Sequence, residues 1–146
     1  MGVKLGLDAK LYRNTGSYSA PAWNEVKNVK DLTLNLEAGE ADVSTRGNGG
    51  WRANIATLKD ASLEFEMVWD TADDDFTAIR TAFLTNAPIE FAVLDGASNA
   101  AGSQGLRASM AITNFSRSEP LEEAIKVSVT AKPTCSENAP EWMTVP

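Results

Sequence analysis

Leu63-Glu64-Phe65-Glu66-Met67-Val68-Trp69 runs directly into Asp70-Thr71-Ala72-Asp73-Asp74-Asp75-Phe76-Thr77-Ala78-Ile79-Arg80-Thr81-Ala82-Phe83, and the change of rhythm between the two decides the fold class. In the first run Leu63, Phe65, Met67 and Trp69 share one side, while Ser62, Glu64, Glu66 and Val68 share the other. Successive strand side chains point to opposite faces, so this is a strand with one buried face and one wet or interfacial face. In the second run Phe76, Ile79, Ala82 and Phe83 recur at helical spacing. Thr71 or Asp73 can cap the free N–H groups, and the acids suit the positive end of a helix dipole. The helix has to end by Asn86-Ala87-Pro88, because proline disfavours the helical region for the residue before it.

Outward from this junction the chain keeps the period of two. Val3, Leu5, Leu7, Ala9 and Leu11 alternate with polar or small residues and predict a first strand with one buried face. Asn14-Thr15-Gly16-Ser17 and Pro21 end it in a loop. Residues 23–29 read as a second strand, Leu32, Leu34 and Leu36 line one face of a third, and 41–46 extend or pair with it. Gly47-Asn48-Gly49-Gly50 then breaks any regular element. Downstream, 89–95, 106–115 and 125–131 read as strands, with an Ala/Ser/Asn/Gly-rich loop over 96–105. The expected fold is mainly β: two packed antiparallel sheets, a β-sandwich or barrel, with one flanking α-helix near 73–85. One domain over 1–132 includes a long hairpin or loop at 41–54. Residues 133–146, with Pro133, Pro140 and Pro146, form an extended C-terminal arm.

Composition removes much chemistry. The chain has 146 residues, 43% hydrophobic and 23% charged, which suits a single globular domain. It has no histidine, so Ser-His-Asp and Cys-His schemes are excluded and the commonest metal ligand is missing. The single cysteine, Cys135, cannot form an intrachain disulfide and reads as a dispensable free thiol. Asp73-Asp74-Asp75 lacks the alternating acids, central Gly and distal Glu of a calcium loop, which leaves helix capping as the better reading over a cation site. Gly47-Asn48-Gly49-Gly50 is not followed by Gly-Lys-Ser/Thr, so it is no phosphate loop. No catalytic residue, cofactor or metal is expected. No apolar run approaches the ~20 residues that span a bilayer, and no signal-peptide stretch is expected at the N-terminus. The net charge of −7 opposes tight binding to a phosphate backbone, while an acidic surface lets a polyanion slide past.

Arg46, Trp51 and Arg52 surround the glycine-rich tip. Both residue types are enriched where proteins touch. Two other readings stay open at this point: Trp51 in the core, or the cluster as a platform for single-stranded nucleic acid.

Taken in order, the segments 2–14, 29–34, 41–46, 63–67 before the helix, and Ile112-Thr113-Asn114-Phe115-Ser116-Arg117-Ser118-Glu119-Pro120 resemble the tail tube proteins of long-tailed phages. That resemblance implies two packed antiparallel sheets with a flanking helix, a fold shared with contractile tails and type VI secretion. It further implies six-fold rings whose inner strands join into a continuous barrel, stacked into a hollow tube through which DNA passes without sequence-specific binding. The implied setting is the virion tail, assembled in the host cytoplasm, with tape measure and tail terminator proteins as partners and no membrane. Self-assembly contacts are expected at Arg46, Asn48, Trp51 and Arg52, with Tyr12, Arg13, Arg117 and Trp142 as further contact residues. Two competing readings remain: the tube subunit of a contractile injection machine, and a monomeric β-sandwich binding module using Trp23, Trp51 or Trp142 as a ligand platform.

Overall fold

The computed structural model describes residues 3–134 and 138–146, so Cys135 lies outside the described residues. Eight strands form one antiparallel sheet: β1 (Lys10–Asn14), β2 (Trp23–Glu25), β3 (Val29–Asp42), β4 (Asn54–Val68), β5 (Ile89–Leu94), β6 (Gln104–Ser118), β7 (Lys126–Pro133) and β8 (Glu141–Thr144). The helix α1 (Asp74–Thr85) lies between β4 and β5 in the chain. The order across the sheet is β2-β1-β5-β6-β7-β4-β3, with β8 also on β6.

The two expected sheets are therefore two layers of one hydrogen-bonded sheet, and β6 joins them. Its first half pairs with β5 as far as Met110, and its second half pairs with β7 through a register shift between Ile112 and Asn114. A bulge of this kind bends and twists a strand, which lets one strand serve both layers. The fold-over is visible in the rings of Phe65 on β4 and Phe91 on β5, which meet edge to face with centroids 6.0 Å apart. In a flat sheet those strands would lie about 14 Å apart, three strand spacings. Leu11, Leu63, Phe65, Met67, Phe91, Met110, Val127 and Val129 fill the space between the layers.

The helix closes one side of this core. Asp73 caps it by accepting the Phe76 N–H at 3.2 Å, and Asn86 ends it with φ 59°. Phe76 and Ile79 are completely buried, and Phe76 stacks edge-on against Trp69 at 4.7 Å. Phe115 of β6 meets both Phe76 and Phe83 at 6.0 Å. The rhythm change in the sequence thus marks the point where the chain leaves the sheet to cover its open flank.

Three expectations need correction. The first strand begins at Lys10 rather than Val3: residues 6–8 form a 3-10 turn, and Val3, Leu5 and Leu7 remain 78%, 67% and 89% exposed. An alternating pattern makes a strand only where a neighbouring strand accepts its backbone groups, and among the described residues no strand pairs with 3–9. The second strand is cut short because Lys27-Asn28 turn the chain into β3, leaving Val26 buried with its N–H on the Leu11 carbonyl at 2.8 Å. The C-terminal segment is extended but not free: Glu141–Thr144 pairs with 104–107 of β6, and Val145 is buried against Tyr12, Ala92 and Leu94.

Candidate functional site

With no catalytic chemistry expected, the functional surfaces are those the fold leaves unsatisfied. The most prominent is the β3/β4 hairpin. Its two strands pair from Val29↔Met67 to Asp42↔Asn54, far beyond the 41–54 segment that the sequence singles out. β7 supports β4 only from Leu63 onward. Residues 54–62 therefore pair with β3 alone, and from Asp60 to Asn54, where every β4 residue is exposed, the two strands form a ribbon that leaves the body. A bulge that sets Thr57 and Leu58 of β4 opposite the single Gly39 of β3 twists it, and a side chain at Gly39 would meet the Thr57 hydroxyl at 2.6 Å.

The ribbon ends in a built turn. Ser44 binds across it, taking the Ala53 N–H on its hydroxyl oxygen at 2.8 Å and giving its own N–H to Asp42 at 2.8 Å. The Asn48 N–H reaches the Thr45 carbonyl at 3.1 Å, and the Trp51 N–H reaches the Asn48 carbonyl at 3.2 Å. Gly49 and Gly50 take positive φ values of 62° and 88°, the left-handed region that glycine enters without a steric penalty. This turn holds Trp51 out in solvent at 81% exposure, with Val43 and Ile55 about half exposed and Arg46 and Arg52 exposed beside it. The core reading of Trp51 is thereby overturned. Asn48 is only partly exposed, and its side-chain amide nitrogen is buried without a partner.

The other expected contact residues divide. Tyr12 is 5% exposed, and its hydroxyl accepts the Ser98 N–H at 3.0 Å, so it is a core residue. Arg13 is spent on the fold: its Nε donates to the buried Asp75 at 2.8 Å, and Asn24 donates to the same carboxylate at 2.9 and 3.0 Å. That carboxylate ties the first turn of α1 to β1 and β2, a buried charge made tolerable by its partners. Tyr12 and Arg13 alternate along β1, and both sides of β1 are covered in the folded chain, which nothing local in the sequence reveals. Arg117 remains half exposed, paired with Glu119 at 2.5 Å and lying over the Trp69 ring at 5.0 Å. Trp142 on β8 is 57% exposed, its Nε1 donating to Gln104 at 3.1 Å.

Two surfaces escaped the sequence reading. The first is a pair of strand edges. Among the described residues β3 ends the sheet with no strand beyond it along Val29–Asp42, and β6 beyond Met110 has β7 on one side and no strand on the other. The layer β6-β7-β4-β3 thus carries an unpaired edge at each end. Its core face is apolar, while the paired rows Asp31↔Glu66, Thr33↔Glu64, Asn35↔Ser62 and Glu37↔Asp60 lie on the opposite face. On β7 that face carries Lys126, Ser128 and Thr130, with Lys126 3.7 Å from Glu66. The alternation of Glu64 and Glu66 signalled a wet face; the match with Asp31, Glu37 and Asp60 across strands did not show. The second surface is a groove between β8 and the root of the ribbon.

Among the described residues no three acidic or thiol side chains gather as a metal site, and no helix is long and apolar enough to cross a membrane. The same fold occurs in solved structures. One titled as the virion of a native gene transfer agent particle aligns at a TM-score of 0.75 and 16% identity, over 97% of this chain and 100% of that one. A second, the tail of an empty gene transfer agent particle with C6 symmetry, aligns at 0.75 and 18% over the same shares. The SPP1 tail tube aligns at 0.71 and 16%, over 89% of this chain and 75% of that one. Among curated proteins none matches the sequence. Residues 10–134, from the start of β1 to just past β7, match the family described as phage tail tube protein. The chain belongs to that family of structural tail proteins.

Proposed function

We propose that this protein self-assembles into six-fold rings that stack into the hollow tube of a phage tail, through which DNA passes. The observation that carries the reading is the layer β6-β7-β4-β3, with an unpaired edge at each end and a hydrophilic, acid-rich face turned away from the core. An exposed edge templates pairing with another chain, and a ring built by head-to-tail pairing of two different edges leaves none open laterally. In such a ring β3 of one copy pairs with the second half of β6 in the next, and the polar faces line the bore. Asp31, Glu37, Asp60, Glu64 and Glu66 then repel a polyanion and keep it from adhering. The C6 symmetry of the gene transfer agent tail supports the six-fold number.

Stacking falls to the ribbon, whose tip presents Trp51, Arg46 and Arg52 beyond the body of the subunit. Arginine pairs bidentately with carboxylates, which this acidic chain offers in excess. Tape measure and tail terminator proteins are the expected partners at the bore and at the tube end. A chain in the baseplate of the anti-feeding prophage, with 9% identity and a TM-score of 0.56, has a related fold, so a contractile machine remains the second reading. A sheath protein that binds the assembled tube would decide for it.

The test is electron microscopy of the concentrated protein alongside light scattering. Six-fold rings or tubes support the proposal. A chain that stays monomeric at millimolar concentration would refute it in favour of a binding module.

A further inference from the structure

Asn48-Gly49, at the ribbon tip, is the one place in the chain where an asparagine precedes a glycine. That pair has a chemistry of its own. The backbone nitrogen of the second residue, once deprotonated, can attack the asparagine Cγ and expel ammonia, and glycine favours the attack because no side chain stands in its way. A fold suppresses the reaction by fixing the amide and by engaging the nitrogen in a hydrogen bond.

The ribbon tip does neither. The side-chain amide nitrogen of Asn48 is buried without a partner, so turning the amide breaks no bond and relieves an unsatisfied donor. The Gly49 N–H reaches no acceptor among the described residues. Nothing lies within 4 Å of the point where a side chain at Gly49 or Gly50 would begin, so a ring formed across residues 48 and 49 meets no wall. Two single bonds hold this part of the turn, from the Asn48 N–H at 3.1 Å and from the Trp51 N–H at 3.2 Å, both at the long end of the hydrogen-bond range. Arg46 and Arg52 flank the tip, and nearby cations favour the anionic nitrogen that attacks. Asp95-Gly96 makes the contrast. Its carboxylate accepts the Gln104 N–H at 2.9 Å, its own N–H donates to the Gln104 carbonyl at 3.0 Å, and a side chain at Gly96 would meet the Ser103 hydroxyl at 2.8 Å.

We propose that Asn48 is a self-modification site that deamidates in the folded subunit. The Gly49 nitrogen gives its proton to solvent base and bonds to Cγ, the Cγ–Nδ2 bond breaks, and the amide nitrogen leaves as ammonia after taking a proton from water. Water then adds to either carbonyl of the resulting cyclic imide and opens it to aspartate or isoaspartate. In isoaspartate the chain runs through the former side chain, and the carbonyl that held the Trp51 N–H becomes a free carboxylate. Either product sets a negative charge between Arg46 and Arg52. On the stacking role proposed for the tip, on which this consequence rests, a modified subunit stacks poorly, so the reaction limits how long an unassembled subunit stays competent.

The test is to age the folded protein and the urea-unfolded chain at the same mildly alkaline pH. The tryptic peptide 47–52, which carries Trp51 as its absorbing group, is followed by chromatography and mass spectrometry. The folded chain should convert within about tenfold of the unfolded rate, since a turn held by two single hydrogen bonds opens at small cost. Conversion should quicken as pH rises, because the attacking nitrogen is the deprotonated one. Asn48→Gln should abolish the change, as the larger ring closes far more slowly. Asp95→Asn, which puts the same dipeptide into the held and crowded turn, should lag behind Asn48 by about tenfold or more. A folded rate below the stated bound, a persistent mass change in Asn48→Gln, or equal rates at positions 48 and 95 would each overturn the inference. Tubes grown from a partly aged pool should be depleted of modified chains. Equal entry of modified and unmodified chains, with the reaction itself observed, would uphold the site and sink the tip's stacking role instead.

Discussion

The guanidinium of Arg107 on β6 lies 3.8 Å from the centre of the Tyr18 ring, and its Nη2 donates to the Tyr18 carbonyl at 2.5 Å. The same side chain pairs with Glu90 on β5, approaches Glu141 on β8 at 3.8 Å and faces the Trp23 ring at 5.1 Å. One residue thus clasps the loop after β1, the central strands and the C-terminal strand. Its charge is buried but surrounded by acceptors and ring faces, the condition under which a buried cation is tolerated.

Arg107→Ala should therefore destabilise the fold by about 3 kcal/mol, because the largely covered Glu90 carboxylate keeps only the Asn14 amide, at 2.7 Å, as its partner. A drop of about 10 °C in Tm is the expected reading. Arg107→Lys should recover only part of it, since a point charge cannot reproduce the planar stack on Tyr18. Equal melting of parent and both variants would show that the clasp does not hold the fold.

Tyr18 should titrate above the ordinary phenol range. Its hydroxyl is hydrogen-bonded to Glu141, the largest cause, and desolvation and the carboxylate charge act in the same direction, while Arg107 opposes them. The protonated phenol is the stabilised form, so its contribution to stability is present below the unfolded pKa of 10.0 and is lost as pH rises through the higher folded value. NMR of labelled tyrosine would follow the titration, and Glu141→Ala should bring it back down. An unchanged midpoint in that variant would remove the hydrogen bond as the cause.

Gly105 has no room for a side chain, because an added Cβ would run into the Val93 carbonyl of the paired strand. Gly105→Ala must shift β5 against β6 and should cost about 3 kcal/mol, at the upper end of overpacking penalties. Gly6→Ala, where nothing lies within 4 Å, is the matched control and should leave urea unfolding unmoved.

Trp51→Ala combined with Arg46→Ala should leave the monomer's Tm within about 2 °C, since both side chains are exposed and surface changes cost little. Tube growth should nevertheless be lost. If the double variant instead unfolds while retaining assembly, the ribbon tip is a folding element and not a stacking contact.

Reversing the polar face tests its proposed place at the bore. Asp60→Lys with Glu64→Lys changes two exposed side chains on that face and should preserve both fold and tubes. Tubes of this variant should retain DNA at physiological salt where the parent tubes do not, because added lysines displace counterions from phosphates. Identical DNA retention by both would place these residues away from the bore.

What the sequence determined by itself was everything that depends on local periodicity. Leu63, Phe65 and Met67 are buried and Glu64 is not, because side-chain direction in a strand is fixed by parity alone. The helix at Asp74–Thr85 with its Asp73 cap followed from spacing and from an acid at the right offset. The family was also legible, since the order of segments extends over almost the whole match. The tertiary structure alone decided which alternating runs find a partner. Val3, Leu5 and Leu7 carry the same pattern as Leu32, Leu34 and Leu36, yet only the latter run lies beside another strand, on β4. It likewise decided that Arg13 meets Asp75, 62 positions away, and that Arg107 meets Tyr18, 89 positions away. Those pairings depend on how one sheet folds over itself at β6, a non-local event that no window of sequence encodes, because the energy of each contact appears only when both strands are already in place.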